Sequence, residues 1–222
     1  MLWSIAAVVG MVGGMIVAVF SPLLSLDTIE VNGTSRIDAA EVREALDDQL
    51  GTPLALVDFS RITDELGRFP LVRSYTAESV PPHTLVITIQ ERQPIGLVND
   101  GSAFAVVDPA GIVLESVDAR PPGLPVIDAG EASIGNPGFI AAVEVLLSIP
   151  PELAARVDTI TASTKDDVGF TLTGGAQSVT WGSADRSATK AKVLATLIAT
   201  QGETAARLYD VSAPDAAVVR SL

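Results

Sequence analysis

The chain has 222 residues, with 14 Lys and Arg against 27 Asp and Glu, a formal net charge of −13, one His and no Cys. That acidity excludes a nucleic-acid binder, because such a surface repels a polyanion. The lack of cysteine excludes disulfides and thiolate metal sites, and a lone histidine excludes a His-rich zinc site.

No charged residue precedes Asp27, and residues 2–20, LWSIAAVVGMVGGMIVAVF, form an apolar run of 19. At about 1.5 Å per residue, a helix of this length spans roughly the 30 Å hydrocarbon core. The run lacks a basic n-region and exceeds a normal signal-peptide h-region, so residues 1–21 are predicted to be one retained transmembrane helix. Trp3 suits an interfacial position. Gly10 and Gly14 have the spacing that lets two helices approach closely.

Residues 25–31, SLDTIEV, alternate as a strand and meet the turn signal Asn32-Gly33. A helix follows over residues 38–50, with Asp38 and Glu41 in a capping pattern and Ser35 as a rival N-cap. Val42, Ala45, Leu46, Gln49 and Leu50 share one face, and Gly51 ends it. Asp58 caps a second helix with Phe59, Ile62, Leu66 and Phe69 inward and Pro70 as its stop. Two alternating strands then flank Pro81-Pro82, with Leu85, Ile87 and Ile89 on one apolar face. The order is β-α-α-β-β. Two amphipathic helices cover only one face of three strands, so the other face and an edge are expected to stay accessible.

After Pro94 the pattern changes to short strands with turns at Asn99-Asp100-Gly101 and Asp108-Pro109-Ala110-Gly111. A helix is predicted over residues 137–148 with Ile140, Val143, Leu146 and Leu147 inward. Strands are predicted at 157–162, 168–173 and 177–181, then a helix carrying Lys190. Residues 206–220 are expected to end the chain in extended form. The fold class is therefore α+β, with a mainly antiparallel β domain and flanking helices over residues 93–222.

A search for chemistry finds no catalytic set. A Ser-His-Asp arrangement would need His83, which falls in the Pro-Pro turn and reads as solvated. Asp47-Asp48 and Asp166-Asp167 are adjacent carboxylates that point in different directions, unlike a glycosidase pair. Gly174-Gly175 lacks the helix N-terminus and Lys of a phosphate cradle. Trp181 reads as core or packing rather than a ligand stack. Lys190 has two open roles: contact with a partner, or a structural ion pair or hydrogen bond to a carbonyl. No enzyme activity, cofactor or metal is expected.

Several short patterns resemble the FtsQ/DivIB family of bacterial cell-division proteins. In the first half they are Val31-Asn32-Gly33, Phe69-Pro70 with Val72, Pro82-x-Thr84-Leu85 and Glu91-Arg92-x-Pro94. In the second they are Val107-Asp108 with Gly111 and Val113, Leu124-Pro125-Val126-Ile127, Trp181-Gly182 with Lys190, and Tyr209-Asp210-Val211-Ser212 with Pro214. The resemblance implies a POTRA domain over residues 22–92, with Glu91, Arg92 and Pro94 as the joint to the next domain. It implies an anchor in the cytoplasmic membrane, the N-terminus inside, both domains outside and enrichment at the division septum.

It also implies a non-enzymatic scaffold that binds single-span partners of the FtsL and FtsB (or DivIC) type and connects to the septal peptidoglycan synthase complex. The extended tail is the expected docking edge, because Pro214 cannot donate to a ladder and suits an edge strand. The expected contacts are Lys190, Leu208, Tyr209, Val211, Ser212, Ala213, Ala217, Val218 and Val219. Val211→Pro and Val218→Pro are expected to weaken binding while leaving the protein folded. The alternative is a POTRA-bearing chaperone or translocation component for unfolded polypeptides. An anchored cell-wall hydrolase fails for want of a catalytic set.

Overall fold

A computed structural model describes residues 3, 10, 11, 13, 24–99, 101–130, 134–201 and 206–221. The predicted membrane helix falls outside the described residues, apart from Trp3, Gly10, Met11 and Gly13, which are helical and exposed. No helix among the described residues is long and apolar enough to cross a membrane. The chain divides into two compact units, Met1–Arg92 and Gln93–Leu222.

In the first unit, β1 (Thr28–Asn32), β2 (Val72–Val80) and β3 (Thr84–Glu91) form a three-stranded sheet in the order β1-β3-β2. β1 runs parallel to β3 and β2 antiparallel to it. A parallel neighbour requires a crossover, here supplied by α1 (Ala39–Ala45) and α2 (Phe59–Leu66). Leu85, Ile87 and Ile89 are buried with Val42, Leu46, Ile62 and Leu66. Each such side chain contributes about 1.5–3 kcal/mol by leaving water. Thr76, Glu78, Thr88 and Gln90 are exposed, as expected for a sheet with helices on one face only.

Asp38, not Ser35, caps α1, its Oδ1 accepting from the Ala40 amide at 2.8 Å. The helix is shorter than expected and passes into a 3-10 turn, Asp47–Gln49, so Leu50 is exposed rather than inward. α2 stops at Gly67 before Pro70 is reached, and Phe59, at its first turn, is exposed. Gly33 is required by space as well as by its φ of 79°, since a Cβ there would lie 2.1 Å from the Ile89 carbonyl oxygen.

The second unit is built on a nine-stranded sheet in the order β12-β11-β10-β9-β8-β7-β4-β5-β6. Its strands are β4 (Gly96–Asn99), β5 (Phe104–Val107), β6 (Val113–Val117), β7 (Val126–Asp128), β8 (Val157–Ala162), β9 (Val168–Leu172), β10 (Gln177–Thr180), β11 (Arg207–Asp210) and β12 (Val218–Ser221). Most neighbours are antiparallel, but β4–β7, β7–β8 and β10–β11 are parallel. The last two pairs are bridged by helices: α3 (Pro137–Ser148) and the short α4 (Pro151–Ala154) separate β7 from β8, and α5 (Ser187–Gln201) separates β10 from β11. Phe139, Leu146, Ile160, Trp181, Leu194 and Tyr209 belong to one core.

Two expectations fail in this unit. Ile140 and Leu147 are exposed, while Ala141, Ala142 and Val145 of α3 are buried. A nearly all-apolar helix carries no periodic contrast, and small alanines admit the closest approach to a sheet. The tail is not one extended strand either. It is a hairpin of β11 and β12, and Pro214 opens the 3-10 turn Pro214–Ala216 between them.

Candidate partner-binding edge

The residues expected to meet a partner divide into two groups. β11 lies inside the sheet between β10 and β12, and Tyr209 and Val211 are both 0% exposed. The Gln177 side chain approaches the Tyr209 hydroxyl at 3.4 Å, and the Val211 amide donates to the Thr180 carbonyl at 3.0 Å. A proline at Val211 would break this internal ladder, so the expectation that the variant stays folded is corrected. Leu208, beside Tyr209, is half-buried.

β12 is different. It is the terminal strand, paired with β11 alone among the described residues, so its outer backbone groups face no strand. Val218 is exposed, Val219 half-buried and Arg220 exposed. Ser212 and Ala213 are exposed and Ala217 half-buried in the connecting turn. The Ser212 amide and hydroxyl both donate to Asp210 Oδ1. An edge of this kind offers unpaired N–H and C=O groups that an added strand satisfies.

Lys190 is 2% exposed. Its Nζ donates to the carbonyls of Trp181 at 3.1 Å and Ser183 at 2.8 Å and sits 5.8 Å from the Trp181 ring centroid. Burial pushes the ammonium below the usual lysine range, Asp185 opposes that shift and Arg186 adds to it. The carbonyl-bonding role is therefore the one observed: Lys190 pins the loop that leads into α5. Trp181 is core, 5.5 Å centroid to centroid from Phe170.

Glu91 is also buried. Its carboxylate accepts from the amides of Ser35 at 2.7 Å, Arg36 at 2.9 Å and Ile37 at 2.9 Å, with the Arg36 guanidinium 3.8 Å away. It anchors the turn after Gly33 within the first unit. Arg92, half-buried, donates its amide to Leu71, and Pro94 is half-buried in the second unit.

The residues weighed for catalysis serve turns and surface. His83 is not simply solvated, because its Nδ1 lies 3.2 Å from the Ser25 carbonyl oxygen and 3.6 Å from the Asp27 carboxylate. Its carbonyl accepts from the amides of Asp27 and Thr28, so it ties the β2–β3 turn to β1. Asp48 pairs with Arg61, and Asp166 and Asp167 are exposed. Asp108 accepts from Ala110 and Ile112 amides to close its turn. Among the described residues, no group of three or more His, Asp or Glu is placed to hold a metal ion.

Sequence reasoning passed over Arg186 and Asp215. Arg186 Nη1 and Nη2 donate to the two Asp215 oxygens at 2.8 and 2.9 Å. Their separation of 29 residues left no local signal.

A family model described as "POTRA domain, FtsQ-type" matches residues 24–92. Cell division protein FtsQ of Mycobacterium leprae (strain Br4923) is 34% identical over 200 residues, which cover 90% of this chain and 57% of that protein. Cell division protein FtsQ of Mycobacterium tuberculosis (strain ATCC 25618 / H37Rv) is 32% identical, covering 97% and 67%. That of Streptomyces bingchenggensis (strain BCW-1) is 31% identical, covering 90% and 77%. The chain thus spans between 57% and 78% of the lengths of the curated relatives it matches. Among solved structures, the major extracytoplasmic domain of the trans isomer of the cell division protein DivIB from Geobacillus stearothermophilus aligns with a TM-score of 0.38. It is 19% identical, covering 50% of this chain and 93% of that one.

Proposed function

The chain belongs to the FtsQ family of bacterial cell-division proteins, and from that membership we propose that it is a non-enzymatic scaffold of the division machinery that docks partner strands on β12. Residues 1–21 anchor it in the cytoplasmic membrane with the N-terminus inside. A POTRA domain at 22–92 and a β domain at 93–222 lie outside, at the septum. The partners are single-span proteins of the FtsL and FtsB (or DivIC) type, through which the scaffold reaches the septal peptidoglycan synthase complex. The observation that carries the docking mode is the free outer edge of β12, bearing exposed Val218 and Arg220. Main-chain hydrogen bonds supply affinity in strand addition, and side chains on alternate positions supply selectivity. A polypeptide-handling chaperone gains nothing from the relatives above, which are named as cell-division proteins.

The test measures binding of the full chain in detergent to the external segments of FtsB- and FtsL-type proteins. Val218→Pro and Val219→Pro are compared, because consecutive amides of an edge strand point to opposite sides. The variant that loses the outward N–H is expected to stay folded and bind about tenfold more weakly. Wild-type affinity in both variants would remove β12 as the docking edge.

A further inference from the structure

Two features coincide at Arg186. Among the described residues it is the one non-glycine position with a positive φ, 58°, a region where an L-residue with a long side chain meets steric strain. Its guanidinium also grips Asp215 with two parallel hydrogen bonds of 2.8 and 2.9 Å. Asp215 sits in the 3-10 turn Pro214–Ala216 that joins β11 to β12. A strained backbone persists only where its surroundings over-determine it, and such an outlier points to a role.

The surroundings are rigid. Lys190, buried in α5, holds the carbonyls of Trp181 and Ser183 at the base of the loop. Gly182, at a φ of 76°, lies so close to the end of β11 that a Cβ there would meet Ser212 Cβ at 3.2 Å. Arg186 then opens α5, its carbonyl accepting from the Lys190 amide at 3.0 Å. The loop entering α5 therefore rests on β11 and holds the turn beyond it. β12 has a strand on one side only, so a contact that fixes its turn fixes the edge it presents.

We propose that Arg186 and Asp215 are positioning residues for partner docking: a clamp that holds the β11–β12 turn and keeps β12 in the place an incoming strand requires. The proposal rests on the reading of β12 as the docking edge. Its physical basis is preorganisation, since an edge already ordered in its bound position loses less entropy on association. Both side chains are substantially exposed, 52% and 78%, so the clamp is modest in strength and weakened by salt.

The experiment uses the full chain with Arg186→Asp, Asp215→Arg and the double charge swap. Hydrogen exchange of residues 207–221 is read by mass spectrometry, and affinity is read with the external segment of an FtsB-type protein. Each single reversal is expected to speed exchange in β12 and weaken binding about fivefold, and the swap to restore both. Arg186→Gly relieves the backbone strain yet removes the clamp, so it should speed β12 exchange without lowering the unfolding temperature of the unit, an outcome that a general stability role would not produce. Exchange unchanged by the single reversals, or not rescued by the swap, overturns the clamp. Exchange that responds while affinity does not would overturn β12 as the docking edge, and the positioning role with it.

Discussion

The Glu91 carboxylate, 7% exposed at the end of β3, holds three consecutive backbone amides at Ser35, Arg36 and Ile37. Burial opposes its charge, but the amide hydrogen bonds outweigh that cost and keep its pKa below the ordinary glutamate value of 4.5. A depressed folded pKa means the stabilisation is fully present above 4.5 and is lost as the pH falls through the folded value. Glu91→Gln should therefore cost about 2 kcal/mol at pH 7, because bonds to a charged acceptor exceed those to a neutral one. In urea unfolding the gap between wild type and variant should close as the pH falls below 4.5. An unchanged gap at low pH would mean the charge is not what holds the turn. The same scale explains a limit of sequence reading: Glu91-Arg92-x-Pro94 reads as a joint, but nothing local shows a carboxylate reaching back to Ser35, 56 residues away.

At the scale of elements, capping chemistry was legible and burial was only partly so. Asp58 was expected to open α2, and its Oδ1 accepts from the Ser60 amide at 3.0 Å and the Arg61 amide at 3.1 Å. Asp58→Ala should lower stability by about 1 kcal/mol, since two orphan donors lose their acceptor. The check is the midpoint of thermal unfolding followed by circular dichroism, and Asp58→Ser should recover most of the loss. Ile62 and Leu66 were correctly expected to be inward because α2 alternates apolar and polar positions; α3, apolar all round, left Ile140 and Leu147 misassigned. In the tail, Pro214 signalled a break in hydrogen bonding, but not whether that break belongs to an edge strand or, as observed, to the turn before one.

For the whole molecule, each compact unit has its own apolar core, one around Leu85, Ile87 and Ile62, the other around Phe139, Trp181 and Leu194. A chain with two cores need not unfold in one step. Ile87→Ala, at a fully buried site, should cost the first unit about 2–4 kcal/mol. Fluorescence of Trp181, 0% exposed in the second core, should keep its wild-type unfolding transition. A parallel shift of that transition would show that the two units unfold together.

The sequence by itself determined the residue-scale and family-scale features of this protein. The caps at Asp38 and Asp58, the alternation of Leu85, Ile87 and Ile89, and the ordered motifs of a cell-division family are local patterns, and local patterns are written in adjacent residues. Only the tertiary structure decided which strand is the edge. It moved β11 inside the sheet, left β12 outermost, buried Lys190 and brought Arg186 to Asp215. Those outcomes depend on which strands become neighbours through two helical crossovers. Side-chain period records which face of a strand is apolar, but not which of its two hydrogen-bonding sides will be left open.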